Sequence, residues 1–318
     1  MRLKTIILLL CLIIENSVFA DSLMEPKELS AEESLREYGL VAKNFAAHSY
    51  TQNGLPVDKK GRRLPITEIE LAPGVVPGYM DEGFIEPILD NKCMTLVCDL
   101  THVETITIAS YKFSSETFSF DITKLKHLKQ ISILECKSIP ISFFEQLAKS
   151  SSIQYIEFDE SVNAESIKIC LSSMNLKRVE YPFNDDSIVY LSKQKNLIWL
   201  EVTSDCLTVE ASKTIKELPN LRLLIVRGSG INDDFVKNLL SLNKMECLVI
   251  WRTSITDKSI DYIEQWGSLK EVFVPLINDP ESKISKEGYR RLALIKNKTI
   301  YYKECPLMIH GINYDEEE

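Results

Sequence analysis

The feature that most constrains this chain is a spacing. The set Leu-x-x-Leu-x-Leu, with Ile, Val, Met, Phe or Tyr allowed at its apolar positions, recurs eight times. It reads Val103-Ile106-Ile108, Leu128-Ile131-Ile133, Ile153-Ile156-Phe158 and Leu176-Val179-Tyr181 in the first half. Leu197-Leu200-Val202, Leu221-Leu224-Val226, Met245-Leu248-Ile250 and Leu269-Val272-Val274 continue it. The middle members fall at 106, 131, 156, 179, 200, 224, 248 and 272, in steps of 21 to 25 residues. A weaker ninth set around Ile300 and Tyr302 follows a longer gap and reads as a terminal cap. A period in this range marks stacked supersecondary units, none of which can bury its own apolar edge alone.

Each unit has the same internal grammar. The x-Leu-x-Leu-x portion alternates with period two and predicts a short strand with two residues facing inward. An apolar set at helical spacing follows, such as Ile260, Ile263 and Trp266, or Val236, Leu239 and Leu240. Between strand and helix lies a start signal. Asn184, Asn232 and Thr256 are N-cap residue types, preceded by Phe183, Ile231 and Ile255 and followed by Asp185, Asp233 and Asp257. The acids suit the positive end of the helix dipole. Asn163 and Ser285 read as the same cap in other units. Two units depart from the pattern: the one near Val179 is short and carries Pro182 after its strand, and Ser138-Ile139-Pro140 lacks the Asn/Thr-Asp signature.

On these sets, with Thr253-Ser254-Ile255-Thr256-Asp257 as the clearest turn, residues 100–304 resemble the leucine-rich repeat family, in particular its bacterial form with a T-x-I-T-D turn. The resemblance implies an α/β fold: a curved solenoid of about eight repeats, parallel strands on the concave face and helices on the convex face. It also implies a non-catalytic recognition scaffold. Family variants place Asn or Cys at the small polar position after the strand, so it implies that Cys136 is a ladder residue.

Outside the repeat the chain reads differently. Residues 1–20 form a basic, then apolar, then small-residue series ending Val18-Phe19-Ala20, the pattern of a signal peptide cleaved before Asp21. An extracytoplasmic location, periplasmic or secreted, is expected, with no stable membrane insertion after cleavage, because the apolar run is about half the roughly 20 residues a span needs. Residues 21–99 do not show the repeat and are expected to cap its open end. Ser30-Ala31-Glu32-Glu33 is a capping box opening a helix through residue 47, and Thr51–Gly78 reads as extended structure or loop. Residues 305–318 end in Asp315-Glu316-Glu317-Glu318 and read as a solvated tail. Seven cysteines remain beyond Cys11, with Cys93 and Cys98 the only close pair, and most read as small buried hydrophobes. The formal charge of −9 and the lack of a visible basic stripe argue against nucleic acid.

No catalytic, metal or cofactor motif stands out. His48, His102, His127 and His310 form no H-E-x-x-H, and nucleophile-elbow, Walker and dinucleotide patterns are missing from the sequence. The informative residues are those expected to point outward from the strands. The central column runs Thr107, Ser132, Glu157, Glu180, Glu201, Ile225, Val249, Phe273. The column before it runs Thr105, Gln130, Tyr155, Arg178, Trp199, Leu223, Cys247, Glu271, and the column after it includes Asp159, Pro182, Arg227 and Trp251. Stacked like charges on neighbouring strands are destabilising, so Glu157, Glu180 and Glu201, with Asp159 beside them, point to a cationic partner group or to satisfaction by Arg178 and solvent. Leu223, Ile225, Val249, Trp251 and Phe273, with Trp199 alongside, form an apolar patch of the kind that marks an interaction site. A C-terminal segment, 276–284 or 305–314, could instead cover it.

The partner-binding face is therefore assigned to Tyr155, Glu157, Glu180, Trp199, Glu201, Ile225, Arg227, Val249, Trp251 and Phe273, and the expected ligand is a protein or peptide with basic groups. Carbohydrate or cell-envelope polymer binding through the same aromatics is the alternative. Adjacent carboxylates could also approach the ~5 Å separation of a retaining glycosidase, but an open surface would lack the burial that tunes an acid.

Overall fold

In the computed structural model, residues 66–71, 88–275 and 282–302 are described, together with Ala31 and the backbone of 40–43, 51–52 and 55–56. Fifteen strands run in chain order: β1 (Leu40–Lys43), β2 (Thr51–Gln52), β3 (Leu55–Pro56), β4 (Glu68–Leu71), β5 (Ile88–Leu89), β6 (Thr105–Ala109), β7 (Lys112–Phe113), β8 (Gln130–Leu134), β9 (Tyr155–Phe158), β10 (Arg178–Glu180), β11 (Trp199–Glu201), β12 (Leu223–Arg227), β13 (Cys247–Trp251), β14 (Glu271–Phe273) and β15 (Thr299–Tyr301). The main sheet has 11 strands in the order β1-β4-β6-β8-β9-β10-β11-β12-β13-β14-β15. From β4 to β15 every pairing is parallel and joins equivalent positions, as Ile106↔Ile131, Leu200↔Leu224 and Leu248↔Val272 show. The chain is an α/β solenoid of leucine-rich repeat architecture. Every apolar member of the eight sets is buried, and all of them belong to one continuous core.

The helices start where the sequence places them. Asn163, Asn184, Asn232, Thr256 and Ser285 are all N-caps whose side chains accept a hydrogen bond from the first turn. The acid after the cap has a second role that the sequence pattern does not reveal. Asp185 accepts from the Thr208 N–H and hydroxyl at 3.0 and 2.6 Å. Asp233 accepts from the Thr256 N–H and hydroxyl at 2.8 and 2.7 Å, and from the Ser259 hydroxyl. Asp257 accepts from the Ser285 N–H at 2.8 Å and from its hydroxyl. Each acid thus clamps the helix start of the following unit. Burial opposes the charge on Asp233, but hydrogen bonds from Ser259 and Thr256 outweigh it and hold the carboxyl below its ordinary range.

The short unit near Val179 has its own device. Its helix spans only Asp185–Ile188 and continues as a tighter turn over Val189–Lys193. Buried Gln194 donates to the Leu171 and Met174 carbonyls and accepts from the Leu176 N–H, satisfying the end of the preceding helix (Ala164–Ser173). Cys136 is a ladder residue, its thiol turned to the carbonyls of Ile108 and Leu134. Cys93, Cys98, Cys136, Cys170, Cys206 and Cys247 are free thiols.

The N-terminal region differs from expectation in two ways. The helix expected from Ser30 to residue 47 is interrupted by β1 at Leu40–Lys43, which pairs antiparallel with β4. β4 itself extends the repeat core, because Ile66, Ile69 and Leu71 are buried and their strand aligns Ile69 with Ile106 and Leu71 with Ile108. The gap of 37 residues between those middle members hides this unit from a search at a fixed period. β2 and β3 pair antiparallel. The signal-peptide segment and the acidic tail lie outside the described residues.

Where the strand gives way to the turn, the backbone bends into the left-handed region. Ser110, Glu135 and Arg252 do so with φ of 60°, 54° and 46°, and Gly228 fills the position matching Arg252 with φ of 122°. A Cβ on Gly228 would meet the Asp205 carbonyl oxygen at 2.8 Å. Gly228→Ala is therefore expected to destabilise the protein by more than about 1 kcal/mol. Asp233→Ala strands the Thr256 and Ser259 donors and is expected to cost about 2 kcal/mol. Denaturant midpoints measure both, and a wild-type midpoint for Asp233→Ala would mean that the clamp carries no weight.

Candidate functional site

The parallel register converts residues some 24 positions apart into neighbours. Glu180 of β10 lies between Glu157 of β9 and Glu201 of β11. Arg178 lies between Tyr155 and Trp199 on the same three strands. Beyond them Glu201 faces Ile225, Ile225 faces Val249, Val249 faces Phe273 and Phe273 faces Tyr301. Arg227 stands opposite Trp251. All ten residues assigned from sequence fall on the outward face of consecutive strands β9 to β14, about 4.8 Å apart.

The acidic half is tightly organised. Ser132 on β8 donates to Glu157 at 2.7 Å, and the Tyr155 hydroxyl reaches the same oxygen at 3.4 Å. The Arg178 guanidinium lies 3.5 Å from Glu180 and is sandwiched between two rings, 3.5 Å from the Trp199 centroid and 4.2 Å from that of Tyr155. Such stacking favours a delocalised cation over an aromatic face. Asp159 does not join the cluster. It accepts from the Glu135 and Ser161 N–H groups, because the left-handed bend at Glu135 leaves an amide that needs an acceptor.

Burial decides how these carboxyls ionise. Glu201 is 3% exposed. Burial first, and the Glu180 carboxylate second, push its carboxyl up to about 8, although Arg178 works the other way. The expectation that this surface would be too open to tune an acid is corrected here: the strands on either side wall it in.

The apolar half is closed rather than open. Ile225, Val249 and Phe273 are 0, 0 and 1% exposed, and with Leu223 and Cys247 they form a second apolar cluster, separate from the repeat core. Each packs on its counterpart in the next strand, while Trp199, Trp251 and Tyr301 close around them. Tyr301 stacks on Phe273 with ring centroids 4.2 Å apart. The half-buried residues Trp199, Trp251 and Arg227 form the accessible rim. Arg227 pairs with Asp205 at 3.4 Å. Segments 276–281 and 303–318, which could cover the patch, lie outside the described residues.

Among the described residues, the polar atoms at this face that are buried without a hydrogen-bond partner include Arg178 Nε, Trp251 Nε1 and Glu271 Oε2. Glu271, 4% exposed beside Cys247, is held above the ordinary carboxylate range by burial. Ser132, Glu271 and Tyr301 complete the site but were not assigned from sequence. The first two stand in the outward columns and could have been found there. Tyr301 is the outward residue between Ile300 and Tyr302 of the ninth set, beyond the eight regular units whose columns were assigned. Among the described residues, no group of three or more His, Cys, Asp or Glu is placed to hold a metal ion, and no helix is long and apolar enough to cross a membrane.

No protein-family model and no curated protein sequence matches the chain. Its similarities are to solved structures. An internalin (inlF) from Listeria monocytogenes aligns at 12% identity over 66% of this chain and 70% of its own, with a TM-score of 0.41. Human 5T4, the trophoblast glycoprotein, aligns at 12% identity over 64% and 84%, with a TM-score of 0.44. Internalin C2 (inlC2) of L. monocytogenes aligns at 16% identity over 88% and 93%, with a TM-score of 0.37.

The raised Glu201 carboxyl has a consequence for stability. The folded protein keeps this proton up to about 8, whereas the unfolded chain releases it near 4.5. The folded state therefore binds more protons between those values, and stability falls as pH rises through the window, by up to a few kcal/mol. Urea midpoints of the wild type are expected to be lower at about pH 9 than at about pH 5. Glu201→Gln should remove most of that fall. An equal fall in the variant would assign it elsewhere.

Proposed function

We propose that this chain is a non-catalytic recognition protein whose concave face binds a protein or peptide, with a basic side chain of the ligand received by Glu157, Glu180 and Glu201. The observation that carries the reading is three carboxyl groups in register. They stand on successive strands, burial and the neighbouring Glu180 carboxylate hold a proton on Glu201, and a ligand cation can take that proton's place. Like charges placed opposite one another cost stability. A ligand cation offsets that cost while gaining a partly desolvated partner. Trp199, Trp251 and Arg227 then form the rim against which apolar ligand groups dock, while Ile225, Val249 and Phe273, expected from sequence to contact the ligand, lie closed beneath it and support Trp199 and Trp251. The N-terminal segment supports an extracytoplasmic place of action after cleavage near Ala20.

A peptide fits this face better than a sugar chain. Stacking on sugars needs a free aromatic face, and the rings of Tyr155 and Trp199 are already engaged by Arg178, as that of Phe273 is by Tyr301. β10 and β14 are four strands apart, about 19 Å, or about six residues of extended chain.

Selection from a random peptide library on the purified protein is expected to enrich sequences in which Lys or Arg lies about six residues from an aromatic or large aliphatic residue. The Glu180→Gln/Glu201→Gln variant should lose the basic preference and keep the apolar one. No enrichment, or a basic preference that survives in the variant, would overturn the reading. Turnover of aryl glycosides by the wild type but not by Glu201→Gln would make the cluster catalytic instead.

A further inference from the structure

A groove lies away from the concave face. It has a volume of 780 Å³ and runs along the rim where the chain enters the strands. Four asparagines from successive units, Asn175, Asn196, Asn220 and Asn243, line it. Asn196 donates to Asn175 Oδ1 at 2.9 Å, Asn220 to the Lys195 carbonyl at 2.8 Å, and Lys244 to Asn220 Oδ1 at 2.6 Å. These bonds set the amides in a row. Lys177, Arg222, Lys244 and Lys270 line the same groove, against one carboxylate, Glu246.

The cations follow a rule set by the backbone. Each N–H at this rim donates to the carbonyl of the unit before: Gln154 to Lys129, Lys177 to Gln154, Ile198 to Lys177, Arg222 to Ile198, Glu246 to Arg222 and Lys270 to Glu246. Within the groove the aligned column therefore reads Lys177, Ile198, Arg222, Glu246, Lys270, and it continues beyond the groove through Gln154 and Lys129 to Glu104, which pairs with Lys129 at 2.7 Å. A cation recurs on every second strand, a repeat of about 10 Å. No basic stripe is visible in the sequence; these cations are separated by many residues, alternate with other residue types, and come into line only in the fold.

Glu246 does not cancel the stripe. It accepts from Arg222 at 2.6 Å and lies 3.2 Å from Lys270, and its side chain is 18% exposed against 46% and 58% for the two cations. Burial opposes its charge, but the hydrogen bonds from Arg222 and Lys270 outweigh it and hold the carboxyl below its ordinary range. The two cations are the more exposed partners and remain open to the groove, where Glu246 competes with an anionic ligand for them.

We propose that this rim groove binds a linear acidic polysaccharide bearing one carboxylate per disaccharide. An extended pyranose advances by close to one strand spacing, so a disaccharide matches the two-strand repeat of the cations. The asparagine amides, each both donor and acceptor, stand at the intervening positions and suit sugar hydroxyls and acetamido groups. Nucleic acid fits poorly. Its charge recurs at every nucleotide, and its bases need aromatic platforms, of which the groove lining has none. This site is independent of the proposed peptide-binding face.

The test is titration of the full chain with a hyaluronan octasaccharide at low and physiological salt. Saturable binding is expected. Lys177→Ala/Arg222→Ala/Lys270→Ala should weaken it at least about tenfold, because it removes the charge-assisted contacts to the ligand carboxylates. Glu246→Gln should tighten it severalfold by removing the competing carboxylate, an outcome that misfolding cannot imitate. Glu180→Gln/Glu201→Gln should leave it unchanged, which separates this site from the concave face. Failure of the octasaccharide to bind, affinity unmoved in both rim variants, or equal affinity for a thymidine oligonucleotide of the same charge would each overturn the proposal.

Discussion

Backbone hydrogen bonding between adjacent parallel strands dictates which side chains can meet. A buried N–H or C=O left unpaired costs roughly 1–3 kcal/mol, so each strand must pair fully with the next and can do so only in register. From Leu71↔Ile108 at one end to Phe273↔Tyr301 at the other, that register places equivalent positions of successive units side by side. Inward columns become the core. Outward and rim columns become lines of side chains at a fixed spacing. The Asp185–Thr208, Asp233–Thr256 and Asp257–Ser285 clamps lock the same relation at the far end of the turn, so strand and helix cannot slide independently.

The concave face shows what this rigidity permits. A flexible surface would let three carboxylates drift apart. Here the register holds Glu157, Glu180 and Glu201 on successive strands, and the molecule absorbs the strain locally. Ser132 and Tyr155 donate to Glu157, Arg178 lies against Glu180 between two rings, and Glu201 keeps its proton. The arrangement stays folded because each acid is answered differently. It remains responsive because a cation arriving at Glu201 would displace a proton rather than find an established ion pair.

The core, the strand positions and the helix caps were legible in the sequence because each is written within a single unit, as Phe183-Asn184-Asp185 and Ile255-Thr256-Asp257 are. What escaped reading depends on relations between units. The partner of Asp233 is Thr256, 23 residues on. The set Ile66-Ile69-Leu71 obeys the pattern but breaks the period. Burial was misjudged in both directions: Glu201 is walled in, and Ile225, Val249 and Phe273 are closed over, because exposure depends on what neighbouring strands place alongside. The ten site residues stand in columns fixed by the alternating strand pattern, whereas Lys129, Lys177, Arg222 and Lys270 align one position earlier, where the pattern has not yet begun to alternate.

An acidic chain can carry a basic groove because register sorts charge by column rather than by segment. Lys177 immediately precedes β10 and is three residues from Glu180, about 10 Å along an extended chain. That separation exceeds the Debye length of about 8 Å at physiological ionic strength, and the rim cations are exposed, so solvent and salt weaken their interaction with the buried carboxyls of the concave column. The concave column can thus attract cations while the rim attracts anions, with little interference between them. A net charge of −9 averages over both and predicts neither. For a solenoid the informative quantity is the charge of each column and its repeat along the sheet: three acids on successive strands at one face, a cation on alternate strands at the other. The first spacing is short enough to close around a single side chain, and the second long enough to match only a ligand that itself repeats.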